Sequence, residues 1–416
     1  MFPGYAGVWE QQPQLRFKNK NGEDYPNWEK DILDNVGTFI KGAPLSKNDI
    51  SENGKPFILY GELYTTYNEI TKHVVRRTKT DVADRYYSIA GDVVLPTSGE
   101  TPDEISTATC VMQDGVILAG DLLIYRTIDT IDGRMMSYII NHQINNDISR
   151  IAQGKSVVHI QAKELGQITF ECPSLAEQQK IADFFSKLDD LLALHQRQTQ
   201  KLTELKQGLL QNMFPREGES VPRLRFPGFT TTWKQHKIGS LITEYKEKVD
   251  RTSTLPVLTS SKTEGIVFQE DHFGSAQNHD ITGYNVLPRN YCTYRSRSDG
   301  TDFTFNVNNC CDKGIISKYY PVFNGKNNDT FFLSLMLNNN KEIIHEIGYT
   351  CVGTGQKVLS FSDLKKMSMS VPSLEEQTKL SIFFRRLDDL LTLHERYVTT
   401  LIHLKKGLLQ KMFPQD

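Results

Sequence analysis

Long apolar runs are missing from this chain of 416 residues. No stretch approaches the ~18 residues needed to cross a bilayer, so a membrane-spanning helix is excluded. The opening Met1-Phe2-Pro3-Gly4 lacks a basic segment followed by an apolar one and predicts no export signal, which makes the cytoplasm the expected location. Cysteine is sparse and scattered, at Cys110, Cys172, Cys292, Cys310, Cys311 and Cys351, with no C-x-x-C pair and no histidine at zinc-ligand spacing. These are expected to be reduced, mostly buried thiols, with no metal. Charge of one sign is lacking too: 48 Lys and Arg face 50 Asp and Glu, for a net charge of -2. That balance leaves a polyanionic partner open, because a basic stripe can occupy one face of a neutral protein.

The motifs of common catalytic chemistries are equally absent. Gly154-Lys155-Ser156 resembles the end of a phosphate-cradling loop, but the glycine required five residues earlier is Ser149. There is no strand followed by G-x-G-x-x-G, no G-x-S-x-G elbow, no H-E-x-x-H, and no Asn-Pro-Pro-aromatic tetrad of the kind that faces a flipped base. What remains is recognition or scaffolding. With 38% hydrophobic and 24% charged residues, the chain has a globular composition and enough length for two or three domains.

The strongest positive signal is an internal repeat. Residues 173–215, from Pro-Ser-Leu to Met-Phe-Pro, return as 372–414 with about 26 of 43 positions identical. Each copy has a similar prelude, since Leu15-Arg16-Phe17 before Trp28 matches Leu224-Arg225-Phe226 before Trp233. Between the matched parts, residues 30–150 and 235–350 look nearly unrelated. The frame repeats and its contents vary.

Both matched blocks open with Ser-x-x-Glu after a proline, Ser174 to Glu177 and Ser373 to Glu376, which predicts a capping box and a helix start. Apolar residues then recur every seven positions. One row holds Ile181, Leu188, His195, Leu202 and Leu209, and a second Phe184, Leu191, Gln198, Leu205 and Asn212; their repeats are Leu380, Leu387, His394, Leu401 and Leu408, with Phe383, Leu390, Tyr397, Leu404 and Lys411. Five heptads on one seam predict a coiled coil. Pro215 and Pro414 end the pattern, giving helices of about 38 residues and ~57 Å. Each helix's simplest partner is its copy, antiparallel, in a pseudo-two-fold arrangement. His195 and His394 at equivalent seam positions are expected to set coiled-coil register rather than bind metal. Asp189-Asp190 and Asp388-Asp389, with neighbours about 100° apart on a helix, are expected to face solvent or a partner rather than to act as a carboxylate pair.

These repeated motifs, Pro-Ser-Leu-x-Glu-Gln-x-Lys, Phe-Phe-x-x-Leu-Asp-Asp-Leu-Leu and Lys-x-Gly-Leu-Leu-Gln-x-Met-Phe-Pro, make the chain resemble the specificity subunits of type I restriction-modification enzymes over nearly its whole length. The resemblance implies an α+β protein of two globular, mixed α/β target recognition domains joined by two long antiparallel coiled-coil helices. The expected boundaries are an N-terminal extension at 1–14, domains at 15–172 and 216–371, and helices at 173–215 and 372–416. The extension contains a second, looser prelude, Phe2-Pro3-Gly4-Tyr5 with Trp9. By the same resemblance each domain reads one half of a split, asymmetric site on double-stranded DNA. The chain itself would be non-catalytic and without a cofactor. Two methyltransferase subunits would methylate adenine with S-adenosylmethionine, and two restriction/translocase subunits would use ATP and magnesium.

Spacing gives the arrangement a physical reason. Two readers on one face of B-DNA must stand ~34 to 36 Å apart, or a multiple of that, and a rigid rod can hold such a separation where a flexible linker cannot.

Base edges are read chiefly by Arg, Lys, Asn and Gln, and phosphates by Lys, Arg, Ser, Thr and Tyr. In the first variable region the candidates are Tyr60, Tyr64, Thr65, Thr66 and Tyr67, followed by Arg76, Arg77 and Lys79. The competing expectation is a strand with alternate tyrosines in its core and a solvated basic loop. In the second region the candidates are Thr259-Ser260-Ser261-Lys262 and Tyr294-Arg295-Ser296-Arg297-Ser298, with Arg295 and Arg297 alternating on an expected strand. The shared turns at Gly154-Lys155-Ser156 and Gly353-Thr354-Gly355-Gln356-Lys357 suit a common backbone contact. Two other readings stand beside this one: a coiled-coil adaptor that binds proteins and not DNA, and an enzyme using His195 and His394.

Overall fold

The computed structural model describes residues 12–154, 158–275, 280–351 and 356–414. Residues 1–11 of the expected extension, with the looser prelude at Phe2 to Trp9, lie outside the described residues, as do Lys155, Ser156 and Gly353-Thr354-Gly355. The chain divides into two units, Met1–Gln196 with Arg396–Asp416, and Arg197–Glu395.

The two long helices run from Leu175–Met213 and Leu374–Met412, 39 residues each. In the first unit the opening half of the first helix lies antiparallel to the closing half of the second: Asp189 meets Lys405, while six residues further on His195 stacks on Tyr397 at 4.8 Å. The second unit has the reciprocal halves, with Lys206 against Asp388 and Phe214 against Phe384.

One predicted row holds and the other shifts. Ile181, Leu188, Leu380 and Leu387 are buried, but Leu191, Leu205, Leu390 and Leu404 are exposed. The inward second row is one residue later: Phe185, Leu192, Thr199, Lys206 and Met213, repeated as Phe384, Leu391, Val398, Lys405 and Met412, all buried or half-buried. A 4-3 and a 3-4 spacing share the same heptad period. Apolar side chains occupy both rows, so period alone could not choose between them. His195 and His394 sit half-buried on the row that holds.

The helices start where the Ser-x-x-Glu signals place them, but neither capping box is completed: Ser373 Oγ accepts from the Glu376 N–H at 3.4 Å, while both glutamate side chains turn elsewhere. Glu177 instead accepts two hydrogen bonds from Arg16, at 3.1 and 2.6 Å, and Glu376 two from Arg225, at 2.8 and 2.6 Å. A forked guanidinium matches both carboxylate oxygens and outcompetes a single backbone N–H. The next residue of each motif is a glutamine with its own task. Gln178 accepts from the Asp132 backbone N–H at 2.8 Å, and Gln377 from that of Asp329 at 3.0 Å. Those aspartates cap the helices Gly133–His142 and Thr330–Asn339, so each glutamine ties a long helix to a domain helix.

The remaining repeated motifs complete the same joint. Phe17 and Phe226 of the preludes pack edge-on against Phe184 and Phe383, at 5.5 and 5.7 Å. Trp28 meets Phe413, and Trp233 meets Phe214, again edge-on. These buried and half-buried rings join helix ends to domain cores, where large aromatic surfaces contribute most per residue.

Inside the domains, dissimilar sequence covers a common strand order. The first domain's main sheet runs Gly37–Lys41, Leu122–Thr127, Asp92–Pro96, Thr109–Val111, antiparallel throughout, with Ile70–Thr71 added in parallel at the edge. The second domain's runs Ile242–Tyr245, Val322–Gly325, Cys292–Tyr294, Phe305–Val307. A half-buried amide repeats as well. Asn141 exchanges two hydrogen bonds with the Ala108 backbone and Asn338 two with Phe305, each tying the sheet to the domain helix. The domains differ in their additions. The first carries a second sheet of Arg77–Thr78, Lys55–Leu59 and Ile117–Ala119, and the second a hairpin of Leu258–Ser261 with Gly265–Phe268.

Candidate nucleic-acid interface

In the first domain the chain leaves the strand Lys55–Leu59 through a short 3-10 turn, Tyr60–Glu62. The tyrosine-rich stretch is therefore a compact turn and not a strand. Glu62 organises it from within: its buried carboxylate accepts from the Leu59 N–H at 3.1 Å and from Arg76, while its carbonyl accepts from the N–H groups of Thr66 and Tyr67. The Tyr67 hydroxyl in turn accepts from the Val75 N–H at 3.2 Å. Two clusters that are separate in sequence thus become one surface. Tyr60 and Tyr67 are half-buried against Ile58, Leu63 and Val94, and burial raises the pKa of Tyr67. Tyr64 is half-buried, and Thr65, Thr66, Arg76, Arg77 and Lys79 point outward. Arg77 donates to the Gly54 carbonyl at 2.9 Å, whereas Lys79 has no partner among the described residues.

In the second domain Asn306 donates to Ser260 Oγ and to the Ser261 carbonyl, both at 2.8 Å. The Ser261 hydroxyl accepts from the N–H groups of Thr263 and Glu264, at 3.3 and 3.2 Å, and so builds the hairpin turn. Lys262 is exposed at that turn, 3.7 Å from Asp302. Tyr294 must be removed from the expected contacts. It is fully buried, its hydroxyl donates to the Leu359 carbonyl at 3.1 Å, and burial raises its pKa far above that of a free phenol. Its place on a central strand made it core, which adjacency to Arg295 concealed.

Arg295 and Arg297 are exposed and share a cavity of about 370 Å³ with Tyr284, Tyr319 and Gln269. Only Arg297 lies on a strand, the short Arg297–Ser298 paired with Lys357–Val358. Tyr319 is the neighbour that sequence did not single out. The Arg297 guanidinium lies 4.5 Å over its ring, a cation–π contact that holds the fork flat. The Lys318-Tyr319-Tyr320 run was a visible signal, but nothing in it named its partner.

A second polar constellation has a different character. Glu69 accepts from Lys405 at 2.8 Å and pairs with His142 at 2.7 Å, while Lys405 also reaches Asp189 at 2.7 Å. Glutamate, histidine, lysine and aspartate together would suit proton transfer. Here these groups bond one another and bridge a domain to two helices, a structural use. His195 and His394, the residues of the enzyme reading, are half-buried on the long helices and are not members of this group.

Comparison with known proteins agrees with the duplicated architecture. The family model described as type I restriction modification DNA specificity domain matches twice, at residues 25–204 and 235–401. A relative in Methanocaldococcus jannaschii, named as a type I restriction enzyme specificity subunit, is 22% identical over 94% of each chain. The crystal structure of a type I restriction-modification S subunit from M. genitalium superposes with a TM-score of 0.64 at 15% identity, covering 97% of this chain and 99% of that one. Among the described residues no helix is long and apolar enough to cross a membrane. With two family domains spanning most of its length, the chain belongs to the type I restriction-modification DNA specificity family and is a specificity subunit.

Proposed function

We propose that the two domains read the two unlike halves of one asymmetric, split site on double-stranded DNA, and that the paired helices set the gap between them. The observation that carries this reading is a common frame with different exposed side chains. The strand order, the amide on the domain helix, the Arg–Glu clamp and the Gln tie all repeat, while the outward residues do not. Ser98 and Arg297 hold the same place in the two frames, each on a two-residue strand following the central strand. In the first domain that place is a Ser98–His159 hydrogen bond of 2.9 Å, in the second an arginine over a tyrosine.

On this reading Thr65, Thr66, Arg76, Arg77 and Lys79 face DNA in the first domain, with Tyr60, Tyr64 and Tyr67 shaping the turn beneath them. Ser260, Ser261, Lys262, Arg295 and Arg297 do so in the second. His195 and His394 hold helix register. The chain is non-catalytic and cytoplasmic and carries no cofactor. Two methyltransferase subunits bring S-adenosylmethionine and methylate adenine, and two restriction/translocase subunits bring ATP and magnesium.

The test is salt-dependent DNA binding by the chain reassembled with its methyltransferase partner. Arg295→Ala and Arg297→Ala should each weaken binding while leaving subunit assembly intact. Wild-type affinity in both variants at physiological salt would contradict the proposed contacts.

A further inference from the structure

The geometry points to Arg297 as the residue that reads a guanine in the half-site of the second domain, with Arg295 as a neighbouring phosphate contact. We infer this assignment on the basis of the DNA-reading function proposed above, which it deepens.

The two demands differ physically. A phosphate needs positive charge within reach and tolerates a mobile side chain. A base edge must meet a donor pair held in a fixed plane, and an arginine fork matches guanine O6 and N7. Arg297 meets the second demand. Its guanidinium rests on the Tyr319 ring, and the Tyr319 backbone is itself held, because its carbonyl accepts from the Ser296 N–H at 2.9 Å and from the Ser296 hydroxyl at 2.7 Å. Pairing of Arg297 with Val358 fixes its own backbone. The platform and the fork are thus tied together on both sides.

Other cations are committed elsewhere, left loose or lack a fork: Lys318 also lies over the Tyr319 ring, at 5.7 Å, but as a point charge without a planar donor pair. Arg76 is bound to buried Glu62, Arg77 to the Gly54 carbonyl, and Lys262 lies near Asp302. Arg297 has no carboxylate partner among the described residues, so its donors need not be stripped from an acid before they meet DNA. Arg295 opens on the same cavity but has neither an aromatic platform nor an acid partner among the described residues. It supplies charge without a fixed plane. The equivalent place in the first domain, Ser98 bonded to His159, offers no such fork, so a guanine read from this position belongs to the second half-site only.

The experiment uses the chain reassembled with its methyltransferase subunits, and measures methylation and binding on DNA libraries randomised one pair at a time across the mapped site. The wild-type site should contain a G·C pair in the second half whose replacement is costly. Arg297→Ala should lose roughly tenfold to a hundredfold discrimination at that pair alone, and Arg297→Lys, which keeps the charge but not the fork, should not restore it. Arg295→Ala should weaken all sequences alike and lower the salt slope by about one. A second half-site without a G·C pair overturns the assignment. So does a uniform loss of affinity in Arg297→Ala that Arg297→Lys restores. If the wild-type complex selects no split sequence at all, the proposed function fails before the variants are compared.

Discussion

Lys405 Nζ lies 2.7 Å from Asp189 Oδ1 between the antiparallel helices of the first unit, and its repeat counterpart Lys206 meets Asp388 at 2.5 Å in the second. Since the helices are copies, parallel alignment in register would set lysine against lysine and aspartate against aspartate. Antiparallel packing converts both clashes into ion pairs. The two pairs differ in depth: Lys405 and Asp189 are 13% and 16% exposed, against 27% and 36% for Lys206 and Asp388. Lys405→Met leaves Asp189 and Glu69 buried without their cation and should cost about 3 to 5 kcal/mol. Lys206→Met should cost about 1 kcal/mol or less. Urea unfolding of the two variants measures the difference, and an equal loss would contradict the ranking.

The same cluster predicts acid sensitivity. Burial pushes the Glu69 carboxyl up, but the His142 hydrogen bond and the Lys405 ammonium outweigh it and hold the group at about 2, below its ordinary 4.5. A depressed pKa stabilises the fold above the ordinary value, and that contribution is lost as pH falls from 4.5 toward 2. Burial raises the Asp189 carboxyl against the pull of Lys405. Glu69→Gln should be less stable than wild type at neutral pH and should lose less further stability between pH 4.5 and 2. Parallel stability–pH curves would show that Glu69 does not carry the effect.

The prelude clamps should behave as coupled units. Arg225 and Glu376 are 8% and 3% exposed, and Arg225→Ala strands a buried carboxylate. We expect a loss of about 3 kcal/mol or more, of which the double variant Arg225→Ala, Glu376→Ala recovers part. A double-mutant cycle by denaturant unfolding measures the coupling, and strictly additive losses would contradict it.

Asn338 makes a smaller, local prediction. Its amide satisfies both the N–H and the carbonyl of Phe305, at 2.9 and 2.8 Å, so Asn338→Ala leaves two polar groups unpaired and should cost about 1 to 3 kcal/mol. Asn141→Ala should cost a similar amount in the first domain. Faster amide exchange at Phe305 and Ala108 is the direct readout.

Sequence revealed what repeats at long range and concealed what is settled by contact. Helix starts after Ser174 and Ser373, their length and one seam row were readable because periodicity and proline act locally. The second row was missed because Phe184 and Phe185 are both apolar and only packing decides which turns inward. Glu177 looked like a capping residue, since its arginine lies 161 positions away. The shared strand order was invisible because strands such as Asp92–Pro96 and Cys292–Tyr294 need only apolar side chains, not the same ones. At the proposed DNA-facing surface, adjacency grouped Tyr294 with Arg295, whereas the fold buries one and exposes the other.

The central claim is that two different readers are held at a distance set by the helices. Mapping methylated adenines genome-wide, in cells carrying this chain and its methyltransferase partner, tests it most directly when repeated with one heptad inserted in each long helix. We predict one asymmetric, two-part motif with a fixed gap, and the same half-sites at a changed gap with the longer helices. A contiguous motif, or an unchanged gap with the longer helices, would contradict the account.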